Sequence, residues 1–302
     1  MSSARDTVTV RVPASTSNCG AGFDTLGLAL ALYNRVTVTL KPGKLAEPER
    51  PADARAQAMV AETAELFFQN TGELPVGFRY RIDGEVPPAR GLGSSVTVIA
   101  GVLAGLDALL GSGWSKHKMV EVATELEGHP DNASAGILGG FCVSRCDPVT
   151  NAYVDTVRIA VPEKLCFVIA SPKAELLTKE SRGILPATLP YFDAVKSINS
   201  AAYLTAVFAT GDYEKLSHAG GDFMHEPYRL PKIPGASAAI AAAKTAGAYV
   251  AWLSGSGSSV LAVSPADRAE NIRAEMSAAL AREGVAGETR LLRADNEGLR
   301  LD

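Results

Sequence analysis

Alternating apolar and polar residues in TVTVRV (7–12) and RVTVTL (35–40) predict two strands with one buried face each, and FRYRI (78–82) predicts a third. Between the second and third, KPGKLAEPERPADARAQ (41–57) is rich in proline and charge and reads as an exposed loop, followed by a helix over 58–70. From Val96 to Leu110 the apolar positions run too continuously for a one-sided surface helix, so this segment is expected to pack centrally against the sheet. Strands recur at 141–145, 153–159 and 165–170. After Pro172 the texture changes to longer helical segments at 193–209, 212–226, 235–246 and 266–283. Two late strand runs, YVAWLSG with SSVLAVS and then GETRLLRA, are expected to pair with LCFVIAS.

This order of elements predicts an α+β chain. Its 302 residues suffice for two domains, divided near residue 160 into 1–160 and 161–302. No flexible linker marks the boundary, so the halves are expected to share an interface. At 47% hydrophobic and 21% charged residues the composition is that of a globular protein, and it adds nothing to the pattern. The net charge of −4 does add something. It disfavours nucleic acid and anionic membrane as partners, so an anionic ligand needs a local site. The N-terminus MSSARDTVTV has no signal-like apolar core, and the longest apolar run is broken by Asp107, so a cytoplasmic location is expected. Cys19, Cys142, Cys146 and Cys166 form no disulfide framework or zinc pattern and are expected to be reduced and mostly buried.

Four polar or glycine-rich clusters carry the candidate chemistry. PPARGLGSSVTVIAG (87–101) packs two glycines and two serines just ahead of the central helix. It is neither a dinucleotide fingerprint, since Val96 stands where the third glycine belongs, nor a lysine-bearing phosphate loop. What remains is a turn opening onto a helix N-terminus, where unpaired amides favour a phosphate, or else a turn in which Ser94 caps the helix. PASTSNCGAGFDTLGLAL (13–30) places Asn18 and Asp24 on an irregular segment after a strand, either facing a ligand or closing local turns. ELEGHPDNASAGILGG (125–140) concentrates Glu125, Glu127, His129, Asp131 and Asn132, a set suited to a hard cation. WLSGSGSSVLAVS (252–264) is a second glycine-serine turn, or a plain hairpin.

Taken together, the clusters resemble the small-molecule kinases named for galactose, homoserine, mevalonate and phosphomevalonate. GLGSS at 91–95 is similar to their phosphate loop and SGSG at 254–257 to their third motif. VPASTSNCGAGFDTLGLAL (12–30), EGHPDN (127–132), TKESRGILP (178–186) and HEPYR (225–229) are similar to the homoserine-phosphorylating branch. The resemblance covers nearly the whole chain. It departs at Val96 and Thr97, where small residues are usual, and at Ser258 and Ser259, where proline and threonine are common.

The resemblance implies an N-terminal domain like domain 2 of ribosomal protein S5 and a C-terminal ferredoxin-like domain, with the site between them. It implies ATP as phosphoryl donor, magnesium as cofactor and L-homoserine as acceptor, on a route to threonine. A homodimer is the assembly such proteins commonly form. Pro87, Pro88, Ala89, Arg90, Gly91, Leu92, Gly93, Ser94, Ser95, Val96 and Thr97 would wrap the nucleotide phosphates, with Gly255, Ser256 and Gly257 of the third motif. Ser95 and Glu127 would hold magnesium, Glu125 being the second choice. Asn18, Asp24, His129 and Thr178 would line the amino-acid pocket, while Arg182 and Arg229 would grip the substrate carboxylate. Asp24, Asp131 and Asn132 would stand at the chemistry, although homoserine kinases are thought to let the γ-phosphate itself take the hydroxyl proton. Other readings are a sibling kinase for another small alcohol, such as shikimate, and a catalytically silent nucleotide-binding relative.

Overall fold

The computed structural model describes residues 6–173 and 178–302. Among the described residues its first half supplies six strands of a seven-stranded sheet. Strand β1 (Thr7–Ser17) pairs antiparallel with the 15-residue β2 (Leu26–Leu40), with a bulge between Pro13 and Ala14. The bulge bends the pair and lets β2 serve two neighbours. Next come the short β3 (Glu47–Pro48), helix α1 (Gln57–Thr71) and β4 (Phe78–Gly84). The far half of β2 pairs with β4, and its near end, Leu26–Leu28, pairs with β5 (Phe141–Cys146). Helix α2 (Ser94–Leu110) lies across β1 and β2 and is buried from Val96 through Leu106, as its continuous apolar run predicts. Helices α3 (Lys116–Glu127) and α4 (Asp131–Leu138) follow, then β6 (Tyr153–Ile159), paired with β5.

The second half opens with β7 (Leu165–Pro172), every residue of which is buried. After it come α5 (Thr178–Gly183), α6 (Tyr191–Thr210), α7 (Glu226–Arg229), α8 (Ala236–Thr245), β8 (Val250–Leu253), β9 (Val260–Pro265), α9 (Ala269–Arg282) and β10 (Gly287–Leu292). The four strands lie side by side in the order β10-β7-β9-β8. Counted along the chain this is 4-1-3-2, all antiparallel with helices on the crossovers, which is the ferredoxin-like arrangement. The tail then returns: β11 (Arg300–Leu301) pairs with β1 in the first sheet.

One apolar cluster joins the halves. Leu26, Leu28, Leu30 and Phe141 of the first sheet pack with Phe167, Phe208, Trp252 and Leu261 of the second half. Phe141 stacks on Phe208 with ring centroids 4.1 Å apart, a contact worth about 1 kcal/mol beyond its area. Among the described residues no helix is long and apolar enough to cross a membrane. All four cysteines are free, and Cys146 alone is only partly buried.

Three expectations change. The helix expected over 212–226 is absent: a 3-10 turn spans Tyr213–His218, and regular helix returns only at α7. Between them, after Gly220 and Gly221, the Asp222 carboxylate accepts from the backbone amides of Met224, His225 and Glu226, which competes with helix hydrogen bonding. Residues 13–17 and 26–30, expected to be irregular, are strand. They escape alternation because both of their faces are covered. The stretch 41–57 is not a plain exposed loop either: it carries β3 and a 3-10 turn, Pro51–Ala56, in which Asp53 is buried.

Candidate active site

Residues 91–95 form a tight turn into α2. Gly91 has φ of +70° and Gly93, at the N-cap, +67°, a region that side chains other than glycine rarely adopt. Space forbids a side chain as well: a Cβ on Gly91 would lie 2.0 Å from the Ser254 carbonyl oxygen, and one on Gly93 2.2 Å from Ser15 Oγ. The turn is clamped from beneath. Ser254 Oγ donates to the Gly91 carbonyl (2.6 Å), the Ser259 amide to the Arg90 carbonyl (3.2 Å) and the Ser15 amide to the Leu92 carbonyl (3.1 Å). The clamp consumes carbonyls and leaves amides. Those of the first helical turn have no partner within the helix, and the helix dipole adds positive charge there. No side chain caps α2, so Ser94 does not do so.

The upper face of this turn, Pro88 through Ser95, borders a cavity of about 620 Å³ that Gly255 and Ser256 also line. Pro87, Val96, Thr97 and Gly257 are not part of its lining. Val96 and Thr97 point into the interior, where Thr97 Oγ1 donates to the Ser94 carbonyl and accepts from Asn34 Nδ2 (2.8 Å).

Two oxygen donors suited to a hard cation stand at the mouth of the turn. Ser95 Oγ donates to Glu127 Oε2 at 3.1 Å, and burial pushes the Glu127 carboxyl up, against the pull of His129 and Ser95. Glu125, two residues earlier on α3, is exposed and away from the cavity. A half-buried carboxylate and a hydroxyl beside a phosphate cradle fit magnesium, which takes few protein ligands and completes its shell with phosphate oxygens and water. Donor atoms of Asp24, His129 and Asp131 also lie within 4.8 Å of one another. They are committed elsewhere: His129 Nδ1 lies 2.6 Å from Asp131 Oδ1, and both Asp24 oxygens accept from Arg182, at 2.6 and 3.1 Å.

That ion pair belongs to a compact polar pocket. The turn between β1 and β2 carries Asn18 and Asp24 at positive φ; Asn18 Oδ1 accepts from the Asp24 amide and Asn18 Nδ2 donates to the Gly255 carbonyl, both at 3.1 Å. Asn18 therefore shapes the turn. Arg182 and Arg229 each sit 5.3 Å from the centre of the Phe23 ring, within cation–π range. Arg229 is 2% exposed and has no carboxylate partner among the described residues; it donates to the Ser181 and Gly255 carbonyls. Burial, then the repulsion of Arg182, brings its pKa down to about 10. Thr178 opens α5, and its side chain lies outside the described residues.

Beneath the pocket, Asn132 accepts from Ser15 Oγ (2.8 Å) and donates to Ser17 Oγ (3.1 Å), tying α4 to β1 under the glycine turn. Burial alone would lower the pKa of His129, but Asp131, in hydrogen-bond contact, and Asp24 reverse this and bring it to about 9. An imidazole raised above its ordinary value of about 6.5 stabilises the fold fully below that value, and this contribution disappears as pH climbs through the folded pKa. In the metal-free protein, His129→Gln is expected to cost on the order of 3 kcal/mol at about pH 6.5 and much less at about pH 10. Thermal melts check this, and a pH-independent difference would mean the ring is neutral.

Sequence reasoning missed the far end of the cavity, lined by Arg50, Asp53, Met59, Ile82 and Val86. Its rigidity comes from Arg50, which binds Asp53 through two hydrogen bonds of 3.0 Å and reaches Asp83 at 2.7 Å. Charge in a proline-rich stretch ordinarily signals exposure. Only the Arg50–Asp53 spacing hints otherwise. Phe23, Ser254 and His225 were also missed; all three lie inside quoted motifs, which is the signal that could have found them.

The chain matches the family model for the GHMP kinases N terminal domain over residues 58–140 and that for GHMP kinases C terminal over residues 204–282. It is 40% identical to a homoserine kinase of Moorella thermoacetica, over 96% of this chain and 98% of that one. A homoserine kinase of Synechococcus sp. is 37% identical over 97% of this chain and 95% of its own. Among solved structures, a homoserine kinase from Cytophaga hutchinsonii superposes with a TM-score of 0.88 at 26% identity, over 100% of this chain and 99% of that one.

Proposed function

The chain belongs to the GHMP kinase family, and from that premise we propose that it transfers the γ-phosphoryl group of ATP to the side-chain hydroxyl of L-homoserine, supplying O-phospho-L-homoserine for threonine synthesis. The observation that carries the reading is that a glycine-built amide cradle and the charged groups of Asp24, His129, Arg182 and Arg229 line one cavity, with Ser95 and Glu127 beside the cradle.

In this reading the amides of residues 92–95 hold the β- and γ-phosphates, and the base lies toward Met59, Ile82 and Val86. Arg229 takes the substrate carboxylate, joined by Arg182, while Asp24 turns from Arg182 toward the ammonium group. A planar guanidinium suits this task because it donates two parallel hydrogen bonds. Ser95 and Glu127 would hold magnesium, which when bound offsets negative charge on the phosphates. Phosphoryl transfer has a loose transition state, so positioning and charge neutralisation supply most of the rate.

Asp131 is a poor general base. Burial pushes its carboxyl up, but His129 and the Asn132 amide (2.7 Å) pull it further down, and both contacts occupy Oδ1. The hydroxyl proton passes instead to a γ-phosphate oxygen. Asp131→Asn is therefore expected to lower kcat by about ten- to a hundredfold, through a misplaced His129, without abolishing turnover. Complete loss of turnover in a variant that still binds both substrates would restore Asp131 as the base.

The function itself is tested by ADP release over a panel of small alcohols, with and without magnesium. Magnesium-dependent turnover of L-homoserine is expected. Turnover of another alcohol alone, or nucleotide binding without turnover, would overturn the assignment.

A further inference from the structure

His225 stands immediately before α7, its side chain fully buried and outside the cavity lining. Its ring spans two parts of the pocket: Nε2 lies 2.8 Å from the Gly20 carbonyl oxygen, in the turn that carries Asn18 and Asp24, and Nδ1 lies 3.4 Å from an Arg229 guanidinium nitrogen. A carbonyl only accepts and a guanidinium only donates, so a single tautomer satisfies both contacts: hydrogen on Nε2, lone pair on Nδ1. The Phe23 ring packs against the imidazole at 5.4 Å, and Asp222, which accepts from the His225 amide at 2.8 Å, fixes the backbone. Burial holds the ring below its ordinary pKa, against the pull of Asp222, which agrees with the neutral form.

Among the described residues the acceptors of Arg229 are all neutral: the Ser181 and Gly255 carbonyls and the His225 ring. Neutral acceptors orient a buried cation without neutralising it, which leaves its charge for a ligand. We infer that His225 is a positioning residue that, as the neutral Nε2–H tautomer, aims the Arg229 guanidinium at the substrate carboxylate and ties it in register with the turn of Asn18 and Asp24. The inference rests on the reading above that Arg229 meets that carboxylate.

Two substitutions separate the arms of the ring. In His225→Asn an amide oxygen takes the place of Nδ1 and keeps the acceptor for Arg229; in His225→Gln the amide reaches Gly20 and the acceptor is lost. Steady-state kinetics on the full chain should show the KM for L-homoserine raised about tenfold in His225→Gln and by under about threefold in His225→Asn, with the KM for ATP unchanged in both. Arg229→Gln should raise the homoserine KM about a hundredfold, and adding His225→Gln to it should change nothing more, because a residue that acts through another is silent once that other is gone. Equal effects of Asn and Gln, an unchanged KM in His225→Gln, or additive losses in the double variant would overturn the inference. If Arg229→Gln alone leaves the homoserine KM unchanged, the carboxylate reading fails, and the inference falls with it.

Discussion

Gly91→Ala is expected to lower kcat/KM for ATP by at least about a hundredfold, a larger loss than its single methyl group suggests. Two costs act at one atom. At φ of +70° an L-residue bears about 1–2 kcal/mol of backbone strain. The new Cβ would also lie 2.0 Å from the Ser254 carbonyl oxygen and 2.9 Å from the Gly257 amide nitrogen, both backbone atoms that no rotamer change can move. The turn has to lift off its seat, breaking the Ser254 hydrogen bond to the Gly91 carbonyl (2.6 Å). A displacement of about 1 Å in a positioning element costs about a hundredfold in rate, and here it falls on the group being transferred. Steady-state kinetics with a circular dichroism melt checks this. A folded Gly91→Ala enzyme with near-normal ATP kinetics would move the phosphates to another part of the cavity.

Glu127→Gln has the second large effect, with the opposite sign for stability. Its carboxylate is held at 3.1 Å from Ser95, and burial raises its pKa, which means the ionised form is poorly compensated in the free protein. Neutralising it removes that cost. The variant is expected to melt at or above the wild-type temperature while kcat falls by on the order of a hundredfold and half-saturation by magnesium moves to higher concentration. Partial recovery of turnover at high magnesium would identify Glu127 as a ligand of the cation. A variant that loses stability and keeps its magnesium dependence would make Glu127 a structural residue.

Much of this site was legible in the sequence because its chemistry is concentrated in short segments. A cluster of glycine and serine before a continuous apolar run leaves few alternatives, and Gly91 and Gly93 are glycines for reasons of both φ and space. The central helix was legible for the same local reason, since every residue from Val96 to Leu106 is buried. What stayed hidden depends on contacts distant in sequence. Ser15 and Ser17 look like loop residues, yet they lie in a strand whose hydroxyls are satisfied by Asn132, more than a hundred positions away. The apolar spacing of 212–226 suggested a helix, but Asp222 claims the amides that would extend it. Asp24, expected to line the amino-acid pocket, and Arg182, expected to grip the substrate carboxylate, pair with each other, which motif spacing cannot reveal.

The measurement that tests the central claim most directly is a crystal structure with a non-hydrolysable ATP analogue, magnesium and L-homoserine. Phosphate oxygens within about 3 Å of the amide nitrogens at the start of α2, with the homoserine carboxylate on Arg229, is the result expected. Phosphates bound elsewhere, with the glycine turn facing only solvent, would contradict it.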